Sequence, residues 1–314
     1  MRLPWIAVLV AYVAAALTLS AWDPSPQTPF LLQRLRDDGG RELTAVVLAV
    51  PAVLAFAFAA ALARRWVPDP WATRGVLVVA LSPLGFALTS GARPDGPAAA
   101  LLAGGLLLAL QAREHATRGR ALGSAACLSL APWFGVAYAF AAAPVLAALV
   151  SWTSRRGRPL LAFLSLEIAG ATTVALAGID QPDGRAATHG DGAVRVGRVL
   201  VDTLRWAPLL LLAFGGAYLL LRSRREKVSR AIPTRRDAEV AAALAGVMIL
   251  ALWGVAAFGT VGPGAGVPLA AAYAAWGLRR TPRLGFVLGL ATLTLTGWMA
   301  VALAAGDTHR WLHF

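Results

Sequence analysis

The chain has 314 residues, of which 58% are hydrophobic and only 14% are charged, and its mean hydropathy is +0.65. Soluble globular domains carry about a quarter of charged residues, so this composition excludes an ordinary soluble protein. The formal net charge of +13 would suit a nucleic-acid partner, but the basic residues lie in short loops between apolar runs, which is typical of membrane orientation and predicts no nucleic-acid binding.

Ten apolar stretches come near the roughly 20 residues that a helix needs to cross a bilayer. They cover residues 5–22, 43–63, 76–90, 97–112, 121–152, 160–178, 204–221, 240–259, 267–278 and 284–305. The first stretch lacks a small-x-small cleavage site, so we interpret it as a retained helix rather than a signal peptide. Because no long polar interval divides the chain, we predict a single integral membrane domain over residues 1–314, an all-α polytopic bundle of about ten or eleven transmembrane segments.

The basic loops orient the chain, because Lys and Arg next to a span resist translocation. With the N-terminus in the cytoplasm, the connections at Arg64 and Arg113 fall inside, whereas Arg155 falls outside if residues 121–152 cross once. The conflict disappears if this run enters and returns as two pieces broken around Ala131-Pro132-Trp133, since proline interrupts a helix. We therefore predict eleven membrane segments with a cytoplasmic N-terminus and an extracytoplasmic C-terminus.

This topology gathers most acidic residues on the outer face. They are Asp23, Asp37, Asp38, Glu42, Asp95, Asp180, Asp183, Asp191, Asp202 and Asp307. Acidic side chains contribute little to orientation, so their clustering favours a working surface outside the membrane.

Common catalytic signatures are missing. The chain has no HExxH, GxxxxGK[ST], GxSxG or post-strand GxGxxG motif, which argues against zinc proteases, P-loop ATPases, serine hydrolases and dinucleotide enzymes.

The single Cys127 excludes an intrachain disulfide, and the four dispersed histidines predict no metal site. Gly104-Gly105 predicts close helix packing. Glu167 lies mid-span and is a functional candidate, with a protonated or Ser/Thr-bonded glutamate as the alternative.

Three stretches together carry a family pattern. The first is Trp22-Asp23-Pro24, followed by a short amphipathic segment over residues 30–40 that we expect to lie on the membrane. The second is Ala80-Leu81-Ser82-Pro83-Leu84 leading to Ala92-Arg93-Pro94-Asp95-Gly96. The third runs over residues 122–135 and ends in Ala131-Pro132-Trp133-Phe134-Gly135.

Together they resemble the first half of the GT-C superfamily of bacterial membrane glycosyltransferases, which includes protein O-mannosyltransferases and RgtA/B/C/D-like enzymes. The resemblance covers residues 1–225 and leaves 226–314 as additional transmembrane helices. It implies a bacterial, multi-pass cell-membrane enzyme that moves a sugar from a polyprenyl phosphate in the bilayer to an envelope acceptor. The chain departs from the family pattern at Pro24, where a second acid is common, and at Pro132-Trp133, where a lysine is common.

The resemblance also implies roles for individual residues. Asp23 would be the general base that deprotonates the acceptor hydroxyl. Arg93 would hold the donor phosphate through its planar guanidinium. Asp95, Asp37 and Asp38 would contribute to substrate binding, although Asp23, Asp37 and Asp38 also suit a solvated loop, with Asp37 and Asp38 placed favourably ahead of the second span.

Two other function classes remain open from the sequence. A secondary transporter is favoured by the broken helix at Pro132 and by Glu167. A non-catalytic membrane scaffold is favoured by the imperfect acidic motif. No cofactor is indicated; the acidic loop is compatible with a divalent metal without requiring one, and protein partners are left open.

Overall fold

A computed structural model describes residues 3–19, 30–90, 95–115, 117–135, 138–152, 235–256, 263–280 and 283. Regular structure in these ranges is entirely helical, which confirms the all-α prediction for them. The elements are α1 (Leu3–Leu19), α2 (Phe30–Ala63), α3 (Trp71–Ala80), α4 (Pro83–Ser90), α5 (Gly96–His115), α6 (Arg118–Leu130), a 3-10 helix (Ala131–Phe134), α7 (Ala139–Trp152), α8 (Arg235–Ala256), a second 3-10 helix (Pro263–Gly266) and α9 (Val267–Arg280). The apolar stretches at 160–178, 204–221 and 284–305 lie outside the described residues.

Two of the described helices are long and apolar enough to span a membrane. They are Leu43–Ala63, which is the apolar part of α2, and α5. At 1.5 Å per residue each extends for about 30 Å, the thickness of a bilayer's hydrocarbon core. Shorter apolar helices accompany them within α1, α3, α7 and α8.

Helix α2 consists of two pieces joined at Gly40. The φ of 71° and ψ of 178° at this residue are non-helical, and a positive φ is accessible to glycine without steric cost. The Thr44 hydroxyl donates a hydrogen bond to the Gly40 carbonyl at 2.8 Å, one turn into the apolar piece. Residues 30–39 are therefore a separate helical piece, as the sequence predicts; their position on a membrane surface stays a prediction.

Helix α5 packs closely between α2 and α6 through its two adjacent glycines. A Cβ atom on Gly104 would lie 3.0 Å from the Phe58 ring of α2, and one on Gly105 would lie 2.7 Å from Leu128 of α6. The Ser124 hydroxyl of α6 donates to the Gly105 carbonyl at 2.7 Å. The prediction that Gly104-Gly105 permits close helix packing is confirmed.

Helices α2 and α5 run in the same direction. A Cβ atom on Gly96 at the start of α5 would lie 3.1 Å from the Leu48 carbonyl oxygen in the first half of the apolar piece of α2. At the other end of both helices, Arg65 forms an ion pair with Glu114. Helices α3 and α4 together return the chain from the end of α2 to the level of its apolar start. Helix α5 therefore begins beside the start of the apolar piece of α2.

The return is made by two helices rather than one. The prediction of a single span over residues 76–90 is wrong, because α3 ends at Ala80 and α4 begins at Pro83. In a continuous helix the Val79 carbonyl would accept from residue 83, and Pro83 has no N–H to donate. The Ser82 N–H and hydroxyl replace that donor, at 3.0 Å and 2.6 Å from the Val79 oxygen.

A tyrosine from another helix completes the break between α3 and α4. The Tyr12 hydroxyl of α1 donates to the Ala80 carbonyl at 2.6 Å. The Tyr12 ring packs against Phe56 of α2 and Phe86 of α4, with ring centroids 6.4 Å and 5.2 Å away. Side-chain hydroxyls thus satisfy backbone carbonyls that the break would leave unpaired in an apolar interior.

The predicted break around Ala131-Pro132-Trp133 is confirmed by the 3-10 helix between α6 and α7. Helix α6 starts beside the end of α5. Tyr138, just ahead of α7, reaches Asp95 at the start of α5, and Trp152 at the end of α7 contacts Arg113 near the end of α5. Residues 121–152 therefore extend along α5 and then return along it. The position of Arg155 in the sequence predicts this reversal.

Helix α9 joins α2 and α3 to α8. The Trp66 indole N–H donates to the Ala272 carbonyl at 3.3 Å, and its ring stacks on Tyr273 with a centroid distance of 5.7 Å. The Tyr273 hydroxyl in turn donates to the Ala242 carbonyl of α8. One stacked pair thus fixes three helices beside the end of α2.

The two ends of the described helices differ in charge, although three arginines, Arg34, Arg36 and Arg41, lie ahead of the apolar piece of α2 and apart from the other arginines. We call one the basic end, because it carries Arg64, Arg65, Arg74, Arg113, Arg118, Arg120, Arg235, Arg236, Arg279 and Arg280. We call the other the Asp95 end; it carries Gly40, the Ala131–Phe134 turn, Tyr138 and Gly264. Helix α9 shows the division, since Gly264 ahead of it contacts Asp95 while Ala275, a turn before its arginines, contacts Gly75.

The contact between α3 and α9 leads to a stability prediction. A Cβ atom on Gly75 would overlap the backbone of Ala275 and lie 2.6 Å from its Cβ. Gly75→Ala should therefore lower the free energy of unfolding by about 1–3 kcal/mol, the usual cost of overpacking. The matched control is Gly119→Ala, where nothing lies within 4 Å, and there stability should stay equal or rise by less than about 1 kcal/mol. Denaturant unfolding in detergent micelles measures both, and equal effects would contradict the packing.

Candidate functional site

Asp95 is a buried carboxylate at the start of α5. It immediately precedes Gly96, and its backbone carbonyl accepts a hydrogen bond from the Ala99 N–H at 2.9 Å, so it occupies the N-cap position of the helix. The residue is 6% exposed. Because the amino end of a helix carries a partial positive charge, this position favours a negative side chain.

Tyr138 provides a hydroxyl to this carboxylate. Its O–H donates to Asp95 Oδ1, and the tyrosine is itself 2% exposed. The turn that places it is held by the Gly135 N–H bonding to the Pro132 carbonyl at 3.1 Å and by the Tyr138 N–H bonding to the Gly135 carbonyl at 2.9 Å. The break between α6 and α7 is therefore what brings Tyr138 to Asp95.

A third chain segment closes over the other carboxylate oxygen. A Cβ atom on Gly264 would lie 2.8 Å from Asp95 Oδ2 and 3.2 Å from the Leu88 side chain. Glycine at this position lets the second 3-10 helix approach the carboxylate at backbone distance. Residues from α4, α5, the α7 entrance and the α9 entrance thus meet at Asp95, which we call the Asp95 junction (Leu88, Asp95, Tyr138 and Gly264).

The chemistry of the Asp95 junction is that of an oriented acceptor. A carboxylate accepts several hydrogen bonds at once, so Asp95 can hold a guanidinium or a substrate hydroxyl while Tyr138 fixes its rotamer. Because Asp95 is buried and packed by Gly264, its carboxylate is suited to positioning a neighbouring group. It is less suited to reacting with a substrate that arrives from solvent. The residue type is right for organising a neighbouring arginine through paired, charge-assisted hydrogen bonds.

The site residues predicted from sequence fall into two groups. Asp95 is described and buried, and Asp37 and Asp38 lie in residues 30–39 ahead of Gly40, at the Asp95 end, where the structure describes their backbone alone. Asp23, Arg93 and Glu167 lie outside the described residues. The predicted roles of those three residues therefore stay predictions.

Sequence reasoning missed Tyr138 and Gly264. Tyr138 follows the turn in an otherwise apolar run, and a tyrosine directly after a helix break is the one signal that could have indicated it. Nothing in the local sequence distinguishes Gly264 from the other glycines of its Gly-Pro-Gly-Ala-Gly segment. Both residues are brought to Asp95 by packing between helices far apart in the chain.

The basic end holds its arginines with local partners. Arg113 lies over the Trp152 ring, 5.0 Å from its centroid, and Arg64 pairs with Asp69 at 2.7 Å. Partial burial raises the pKa of the Asp69 carboxyl, but hydrogen bonds from Thr73 and Arg64 outweigh it and hold the pKa below its ordinary value. These contacts organise the loop after α2 and involve no residue of the predicted site.

Metal binding finds no support among the described residues, which contain no group of three or more His, Cys, Asp or Glu side chains arranged to hold an ion. A divalent metal at the acidic outer loop stays a prediction. No protein-family model, curated protein or solved structure matches the chain.

The Asp95–Tyr138 contact leads to a second prediction. Tyr138→Phe removes a buried hydrogen bond to a carboxylate and should lower the free energy of unfolding by about 1.5–3 kcal/mol, the range for bonds to charged groups. Tyr273→Phe is the matched control, because it removes a buried tyrosine hydroxyl that donates to a neutral carbonyl; its cost should be about 0.5–1.5 kcal/mol. Denaturant unfolding of both variants in micelles tests this order, and a smaller loss at Tyr138 would indicate a protonated Asp95.

Proposed function

We propose that this protein is a polytopic bacterial membrane glycosyltransferase of GT-C type. It moves a sugar from a polyprenyl-phosphate donor to an envelope acceptor on the outer face of the cell membrane. The observation that carries the proposal is the Asp95 junction, in which a buried carboxylate directly follows the sequence Ala92-Arg93-Pro94 at the end of the bundle opposite the basic end. The resemblance of the motifs around Asp23 and Arg93 supplies the reaction class.

The separation of charge supports the orientation. Ten arginines gather at the basic end of the described helices, and basic residues beside membrane spans remain in the cytoplasm. The Asp95 end then faces the cell exterior, together with Gly40 and the helical piece over residues 30–39. Broken helices with satisfied carbonyls support a membrane interior, because irregular backbone there must be paired within the protein.

In the proposed reaction the acceptor hydroxyl attacks the anomeric carbon of the donor sugar. The new bond forms between that carbon and the acceptor oxygen, the bond from the carbon to the phosphate oxygen breaks, and polyprenyl phosphate leaves. The Asp23 carboxylate takes the hydroxyl proton. Arg93 binds the donor phosphate, and Asp95, held by Tyr138, orients Arg93 from two residues further along the chain. Asp37 and Asp38 contribute hydrogen-bond acceptors to the acceptor site.

Activity in proteoliposomes tests the reaction. With radiolabelled polyprenyl-phosphate mannose as donor, Asp23→Asn should reduce turnover by about 100-fold or more, the scale of a lost general base. Asp95→Asn should raise the KM for the donor by about 10-fold, with a smaller change in kcat, because it loosens Arg93 rather than the proton acceptor. Asp69→Asn at the basic end is the matched control and should leave both constants unchanged. Full turnover by Asp23→Asn would contradict the proposal.

Cysteine labelling tests the topology independently of activity. In a Cys127→Ser background, a cysteine at position 43 near the Asp95 end should react with a membrane-impermeant maleimide applied to intact cells. A cysteine at position 119, beside the arginines at the start of α6, should react only after the cells are opened. Neither position is covered by the rest of the protein, since Leu43 is exposed at the first residue of its apolar helix and Gly119 has open space around it. Labelling at position 119 but not at position 43 in intact cells would contradict the proposed orientation, because it would exchange the cytoplasmic and outer ends.

A secondary transporter is the second candidate. It is favoured by two interruptions in the described helices, one between α3 and α4 and one between α6 and α7. Discontinuous helices at mid-membrane are typical of carriers, whose released backbone groups bind ions or substrate. At the α3–α4 break, however, Ser82 and Tyr12 already occupy the Val79 and Ala80 carbonyls. Solute uptake that Glu167→Gln abolishes, together with mannose transfer unaffected by Asp23→Asn, would favour the transporter.

A further inference from the structure

Trp133 is an exposed aromatic residue on a fixed turn at the Asp95 end. It lies in the 3-10 helix Ala131–Phe134 and is 64% exposed. The residues around it are held in place. Ala131 is fully buried, Phe134 packs against Leu48 of α2, and the Gly135 N–H bonds to the Pro132 carbonyl. The backbone under Trp133 is thus anchored on both sides while its indole ring stays open.

The same contacts place the turn close to the Asp95 junction. Leu48, which packs against Phe134, has its carbonyl oxygen 3.1 Å from the Cβ position of Gly96, the residue after Asp95. On the other side of the turn, Tyr138 donates directly to Asp95. Trp133 therefore lies on a turn whose contacts lead toward the buried carboxylate on both sides, through Phe134 and Leu48 on one side and through Tyr138 on the other.

We infer that Trp133 is a stacking platform for a pyranose ring of the carbohydrate substrate. This inference rests on the proposed function and names a binding residue for it. A pyranose presents a face of C–H groups that packs on an indole, and tryptophan offers the largest rigid aromatic surface at small conformational cost. The fixed backbone makes the platform preorganised, so little entropy is lost when the sugar binds.

The chemistry of the turn favours a sugar over a lipid contact. An interfacial tryptophan anchor sits at the end of a membrane-crossing helix, as Trp152 does at the end of α7. Trp133 instead lies in the connection between two helices, on the turn whose Gly135 carbonyl accepts from the N–H of Tyr138, the residue that binds the buried acid. Leu130, three residues earlier, is also exposed, at 50%. It is an apolar residue without an aromatic ring and therefore serves as a comparison for Trp133.

Kinetics in proteoliposomes test the inference with matched variants. Trp133→Ala should raise the KM for one sugar substrate by about 10-fold, which corresponds to the loss of one stacking contact, about 1.4 kcal/mol. Its kcat should stay within about 2-fold, and Trp133→Tyr should recover most of the affinity. Leu130→Ala removes exposed apolar surface at the same place and should leave KM unchanged. Separate titrations of donor and acceptor identify which sugar stacks; an unchanged KM for both in Trp133→Ala overturns the inference.

Fluorescence separates this inference from the proposed function. The emission of Trp133 is obtained as the difference between the native protein and Trp133→Phe, with methyl α-mannopyranoside as soluble probe and brominated phospholipids as membrane quenchers. A sugar-dependent shift without bromolipid quenching supports stacking, even if the protein transfers no mannose, in which case only the proposed function fails. Quenching by brominated lipid without a sugar response identifies a membrane anchor and overturns the inference.

Discussion

The close approach of α5 to α2 and α6 is the contact on which the other arrangements depend. Gly104 and Gly105 remove the side chains that would keep the helices apart, so backbones and neighbouring residues meet along the whole of α5. Such contacts are individually small and add up over a long interface. Because α2 and α5 then run in the same direction, the chain between them has to return along the bundle, and the beginning and end of α5 acquire opposite chemical character.

The returns are possible because the backbone groups freed at helix breaks find partners inside the bundle. Ser82 and Tyr12 bind the carbonyls around the α3–α4 break. A short 3-10 helix with its own turn bond makes the α6–α7 break compact. In an apolar interior each unpaired carbonyl would cost free energy on the order of 1–3 kcal/mol, so these side chains are part of what allows a helical run to reverse. The second reversal delivers Tyr138 to Asp95.

The two ends of the bundle have different organisation. At the basic end, arginines lie beside aromatic rings or carboxylates, as Arg113 does over Trp152. At the Asp95 end, a single carboxylate is enclosed by a tyrosine hydroxyl and a glycine, and an exposed tryptophan stands on the adjoining turn. In the proposed orientation the basic end is the cytoplasmic surface, and the Asp95 end is the surface at which the proposed reaction takes place.

Much of this fold was accessible from the sequence, and the exceptions have physical causes. Helical character, the apolar lengths of α2 and α5, the packing role of Gly104-Gly105 and the break at Pro132 follow from local rules about hydropathy, small residues and proline. The span predicted over residues 76–90 was wrong as a single helix, because Pro83 lacks the N–H that would pair with the Val79 carbonyl. Asp95 was identified from its motif, but Tyr138 and Gly264 were not, because their importance arises only where they meet it.

The sequence by itself determined that the described chain is helical and apolar, where its basic residues gather along the chain, and which acid follows Arg93-Pro94. These properties depend on residues close together in sequence, through backbone hydrogen bonding and transfer of side chains from water. Only the tertiary structure decided that ten arginines from several helices share one end, that Asp95 is buried against Tyr138 and Gly264, and that Trp133 stays exposed at the same end as Asp95. Those properties depend on which helix faces meet, and contacts between segments more than a hundred residues apart, such as Gly264 with Asp95, leave no local pattern to detect.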